Sequence, residues 1–168
     1  MRIKNSDTAR ALRAERFIRA ARRGDVTSVK ALLPHVDPRA SNDTPLRLAV
    51  QERRLDVIKV LVKAGCRSDF ALQHAVTSNW ADVVKVFAEN GAVSAEQAEW
   101  AFAYVSGRED WLCFDRVVLA LVEAGFPWKK VYMLARDLDR LALLPQAEAQ
   151  AEAVEILTAR IVKKELVG

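Results

Sequence analysis

Few side chains in this sequence have the chemistry to carry a reaction. There are two histidines, His35 and His74, and two cysteines, Cys66 and Cys113. His35 lies beside Pro34 in a stretch that reads as a loop. His74 occupies a first-helix position that lines up with an apolar residue one repeat earlier, so a packed structural role accounts for it. Cys66 and His74 are eight residues apart, with no second pair to complete a zinc site. Acidic neighbours such as Glu109–Asp110 and Asp137/Asp139 could act as acid/base pairs, but a helix start or a solvated loop explains them as well. The chain has no P-loop, no GxGxxG and no GxSxG. The expectation is a non-enzyme, with no catalytic residue, no metal and no cofactor.

The second chemical feature is basic. Arg10, Arg13, Arg16, Arg19 and Arg22 recur at every third position. On a helix each step of three falls about 60° short of a turn, so the five spiral through about 240° instead of forming one stripe. Residues 1–39 hold 10 Lys/Arg against 4 Asp/Glu, and the remainder 16 against 18, so electropositive surface belongs mainly to the N-terminal quarter. Three readings stay open: a solvated capping helix, contact with an acidic protein surface, or nucleic acid. The net charge of +4 is low for the usual nucleic-acid footprint.

The elements that must position these residues follow from composition and periodicity. A chain of 168 residues, 51% hydrophobic and 29% charged, suits one folded domain. With only 6 Gly and 5 Pro among many Ala, Leu and Val, helix is favoured. The two cysteines, 47 positions apart and outside any CxxC pair, fit a reducing cytoplasmic setting. The apolar run Val117–Val122 is far too short to span a bilayer, and the first residues are too charged for a signal-peptide core. No membrane association is expected.

The stretch "NDTPLRLAV", Asn42 to Val50, opens a helix. Thr44 is placed to cap it by accepting from an orphan backbone N–H, and Pro45 fits the first helical position. Leu46, Ala49 and Val50 give an inward face. A second helix carries Leu55, Val57, Ile58, Leu61 and Val62 on one side and stops at Gly65. The unit recurs. "KAGC", "ENGA" and "EAGF" place glycines at 65, 91 and 125, and ten residues after each comes an alanine: Ala75, Ala101 and Ala135. The glycine spacings of 26 and 34 residues signal stacked helical hairpins. An earlier copy, Ala20–Leu33, aligns with Ala49–Val62, and a fifth, irregular unit follows "KKVYMLARDL".

"TPLRLAV" resembles the TPLHxAA signature of ankyrin repeats, and "LDVIKVLVKAG" resembles the second-helix pattern that follows it. The resemblance covers roughly residues 16–138. Arg47 stands where that motif has histidine, so the usual Thr–His hydrogen bond cannot form. The Thr-Pro-Leu positions read "FAL" (70–72) in the next unit, and the glycine between paired helices survives only as Gly24. The resemblance implies an all-α, ankyrin-like helical-hairpin solenoid of about four to five degenerate repeats with helical caps. In this reading residues 1–15 form a basic N-terminal cap, 16–138 the repeats and 139–168 a C-terminal capping helix. Phe17 and Ile18 would turn inward at one end, and Val154, Leu157 and Ile161 at the other.

The same resemblance implies binding of a partner protein through a concave face. Its contact positions, the two residues after each first-helix alanine pair, are here Arg22 and Arg23, Gln51 and Glu52, Thr77 and Ser78, Ala103 and Tyr104, and Asp137 and Leu138. Fingertip candidates are Asp43 and Asp69. Aromatics form a second cluster, eight of the twelve lying between 100 and 132. Here the hairpin lengthens near "SGREDWLCF", with Ala101 to Val117 spanning 16 residues where Ala75 to Val83 spans 8. Either the longer helices need more aromatic core, or Trp111 and Phe114 project as binding anchors. Trp100 aligns with Leu48 and His74 and reads as core. The expected function is a monomeric, cytoplasmic protein-interaction module, acting as an inhibitor, immunity factor or adaptor, with nucleic-acid binding by the Arg-rich N-terminal helix as the alternative.

Overall fold

The computed structural model describes residues 3–106 and 114–126, with isolated positions 155, 158 and 159. Among the described residues there are eight α-helices and no strand: α1 (Ile3–Arg23), α2 (Val26–Leu32), α3 (Ala40–Gln51), α4 (Leu55–Lys63), α5 (Asp69–Thr77), α6 (Ala81–Glu89), α7 (Ala95–Ser106) and α8 (Asp115–Glu123). The architecture is an all-α array of helical hairpins. The fifth unit, the 107–113 insertion and nearly all of the C-terminal cap lie outside the described residues; positions 155, 158 and 159 are helical and exposed. The chain divides into two compact units at His74/Ala75, within α5.

In the first unit α1 packs against α2 and α3, α3 against α4, and α2 against α4. First helices thus stack on first helices, and second on second, as neighbouring hairpins must if each is to cover the apolar face its neighbour cannot bury alone. The shared core is built from Phe17, Val29, Leu46, Val50, Ile58 and Leu61, all essentially inaccessible. The Ala20–Ala21 and Ala49–Val50 pairs lie between them, where small side chains let helices approach. In α4 the buried Val57, Ile58, Leu61 and Val62 alternate with exposed Asp56, Lys59 and Lys63 at helical period. Each such aliphatic side chain contributes roughly 1.5–3 kcal/mol on burial.

In the second unit α6 packs against α8. Val83, Val84 and Phe87 face inward from one, Val117, Leu121 and Val122 from the other. Lys85 bridges the two helices, its Nζ 3.0 Å from Glu123 Oε2. Two of the three repeated alanines behave as the spacing requires: Ala75 is fully buried and Ala101 lies buried beside Phe102, while Ala135 lies outside the described residues.

The helix ends explain the repeat most clearly. At Gly65, Gly91 and Gly125 the glycine N–H donates to the carbonyl three residues back, and the next N–H reaches the carbonyl five back. This pair of bonds closes a helix when its terminating residue takes a left-handed conformation. The φ values are +85°, +62° and +88°. The turns inside the hairpins use the same closure: Gly24 bonds to Ala21 and Asp25 to Ala20, Arg53 to Val50 and Arg54 to Ala49, and Asn79 to Val76 and Trp80 to Ala75. The family glycine is kept only at 24, yet Arg53 (φ +50°) and Asn79 (φ +56°) adopt its backbone conformation.

The entry to α3 differs from the sequence expectation. Ser41, Asn42 and Asp43 are all left-handed, with φ between +54° and +57°, so the regular helix begins at Thr44. The Thr44 hydroxyl donates to the Ser41 carbonyl, whereas an N-cap acceptor was expected. The left-handed run brings that carbonyl back over the threonine side chain.

Candidate functional site

The residues after each alanine pair fall where helices end. Arg22 and Arg23 close α1, where their charge also complements the negative end of the helix. Gln51 ends α3 and Glu52 caps it. Thr77 ends α5, followed by half-buried Ser78. Arg22, Arg23, Gln51, Glu52 and Thr77 are all exposed. Asp69, exposed at the first position of α5, is also accessible. Trp111 and Asp137 lie outside the described residues.

In the first unit these positions converge. Arg22 Nε lies 3.2 Å from Glu52 Oε1, joining the end of α1 to the turn after α3. Arg54, which sequence reasoning did not single out, completes the joint. Its Nε donates to the Arg22 carbonyl at 3.3 Å, and its Cδ would stand 2.9 Å from a Cβ at Gly24. Glycine is therefore favoured at 24 both by its φ of +82° and by the arginine lying across it. Arg19, Arg22, Arg23, Glu52 and Arg54 line a hollow here. A neighbouring one is lined by Arg16, Arg19, Arg23, Asp25 and Ser28. Asp25 caps α2 by accepting from the Ser28 N–H at 3.0 Å, and the Ser28 hydroxyl and amide hold its carboxyl below the usual carboxylate range. Two of the basic groups are partly neutralised, Arg22 by Glu52 and Arg19 by Glu15 one turn earlier. Exposed pairs like these contribute about 0–1 kcal/mol each, so they orient side chains more than they stabilise the fold.

Asp43 is not an exposed fingertip. It is half-buried, its Oδ1 is buried without a hydrogen-bond partner, and its carboxyl is pushed up by burial, against the pull of the Arg67 N–H and the Arg39 charge. The left-handed turn before Thr44 folds it toward Cys66. That thiol is fully buried, donates to the Pro38 carbonyl at 3.5 Å, and is pushed up to about 12 by burial and by the neighbouring Asp43 charge.

Four further positions correct the sequence reading. Phe114 is buried, 4% exposed, and packs edge-on against Tyr104 with ring centres 6.3 Å apart, so it is not a projecting anchor. Helix α7 is long enough for Tyr104 to reach over it. Trp100, His74 and Leu48 are half-buried and not core. Each precedes an inward alanine by one residue, and about 100° of helix rotation moves it to the flank. There Trp100 stacks on Tyr104 at 5.5 Å, and His74 stacks on Phe70 at 6.2 Å. Phe70, 44% exposed, also receives the Arg47 guanidinium 4.6 Å above its ring. Arg47, at the motif's histidine position, thus contacts the next repeat.

Residues 16–70 match the family model described as ankyrin repeats (3 copies). No curated protein and no solved structure gives a match.

Proposed function

Because this chain is an ankyrin repeat protein, we propose that it binds a partner protein through the exposed ends of its first helices, and that it works without catalysis as an inhibitor, immunity factor or adaptor. Ankyrin repeats generally serve as protein–protein interaction modules and are typically non-catalytic. The observation that carries the reading is positional. Arg22 and Arg23, Gln51 and Glu52, and Thr77 occupy the same place at the end of successive first helices, and all are exposed. Ser78 and Tyr104 continue the series as half-buried members. The set mixes charge, amide, hydroxyl and aromatic ring, which suits a specific protein surface better than a uniform polyanion. Within each unit the hairpins are held by buried aliphatic side chains, so that unit's part of the surface loses little freedom on association. Cys66 stands as a buried free thiol, a state that a reducing cytoplasm preserves.

The test is capture from native lysate, read by mass spectrometry, with wild type beside the Gln51→Arg, Thr77→Arg double variant. Retention of a defined protein by wild type, weakened at least tenfold in the variant at unchanged melting temperature, supports the reading. Retention of the same protein at equal strength by both removes these positions from the interface.

A further inference from the structure

We propose that the arginine-lined groove at the end of α1 receives a carboxylate-rich, extended segment of the partner. This rests on the protein-binding reading above and assigns the chemistry of one part of it.

The two hollows adjoin at Arg19 and Arg23, which line both, and together they present five arginines beside the carboxylates of Asp25 and Glu52. Their volumes, about 450 and 380 Å3, are of the size that admits individual side chains. The arginines are not equivalent. Arg19 is held by Glu15 and Arg22 by Glu52. Arg16 and Arg23 are exposed and make no ion pair among the described residues. The groove already holds one carboxylate, that of Glu52 on Arg22, and thus displays the recognition it would extend. A guanidinium fork matches a carboxylate in shape as well as charge.

The open pair also sets a spacing. Arg16 and Arg23 are seven residues apart on α1, which returns them to nearly the same azimuth with a rise of about 10.5 Å. An extended polyproline-type segment brings every third side chain to one edge, about 9.3 Å apart. Glu-x-x-Glu in that conformation meets both guanidinium groups. A nucleic-acid strand fits less well. Its charges follow one another without a break, and Glu15, Asp25 and Glu52 interrupt the arginines with fixed negative charge.

Fluorescence anisotropy with a labelled (Glu-Pro-Pro)4 peptide tests the assignment, beside (Gln-Pro-Pro)4 and a twelve-nucleotide single strand of DNA. The expected result is salt-sensitive binding of the glutamate peptide alone. Arg16→Gln with Arg23→Gln should weaken it at least tenfold. Arg10→Gln with Arg13→Gln, which removes equal charge outside the groove, should weaken it less than threefold, with circular dichroism unchanged in both. Absence of peptide binding, equal loss in the two variants, or tighter binding of the DNA strand overturns the proposal. A partner captured from lysate that ignores Arg16→Gln and Arg23→Gln yet loses affinity on Gln51→Arg and Thr77→Arg overturns it too, while leaving the protein-binding reading intact.

Discussion

The guanidinium of Arg47 lies 4.6 Å above the ring centre of Phe70, joining α3 to the start of α5. Position 47 lacks the motif's histidine, and its arginine is instead placed for attraction between a cation and an aromatic face in the next repeat. Such contacts contribute about 0.5–1 kcal/mol at exposed sites. A double-mutant cycle with Arg47→Met and Phe70→Leu, followed by urea unfolding, should return a coupling of that size. A coupling of zero would mean that ring and guanidinium are neighbours without attraction.

Gly65→Ala and Gly91→Ala should each cost about 1–2 kcal/mol, because both glycines are left-handed and a Cβ there strains the backbone. A Cβ at 65 would also meet Arg39 Nη2 at 2.6 Å, whereas at 91 it meets nothing. The tip of an exposed arginine swings aside easily, so the two losses should agree within about 0.5 kcal/mol. A much larger loss at 65 would show that Arg39 is held in place.

Phe17→Ala should destabilise by about 3–5 kcal/mol, since the ring is 1% exposed and seats α1 on its neighbours. Leu12→Ala, on the same helix but 47% exposed, should change stability by less than about 0.5 kcal/mol. Chemical denaturation of the two variants decides the matter. Equal losses would mean that the N-terminal half of α1 is docked as firmly as the other half.

Asp43→Asn should raise the melting temperature at pH 7. Burial raises the folded-state pKa of this carboxyl, with the Arg67 N–H and Arg39 opposing it. A raised acid favours folding below its unfolded pKa and loses that advantage as the pH climbs through the folded value. The ionised form is therefore the unfavourable one at neutrality. Asparagine removes the charge and tolerates the left-handed φ of +54°. The gain should shrink toward pH 3, where wild type is itself protonated. A gain independent of pH would point to the turn and not the charge.

How much of this was legible in the sequence depends on how local the cause is. The glycines at 65, 91 and 125 announced helix ends because a left-handed terminus excludes most other residues. The alanines at 75 and 101 were found for a similar reason, being small where helices meet. Arg53 and Asn79 gave no such signal, since they hold a glycine-like conformation without being glycine, and only the shared hydrogen-bond pattern reveals them. The arginine spiral was visible, but the groove was not, because it needs Glu52 and Arg54 from about thirty positions later. The sequence left Phe114 open between core and anchor because its exposure depends on Tyr104, ten residues away on another helix. Asp43 was misjudged because three consecutive left-handed non-glycine residues leave no mark in composition.

The helix closures described above reach back only three and five residues, and in the first unit each hairpin rests mainly on the one next to it. Little chain entropy is lost before the earliest native contacts form, so topology sets no slow search. Folding can start at whichever hairpin closes first and spread to its neighbour, which places this unit among rapid folders.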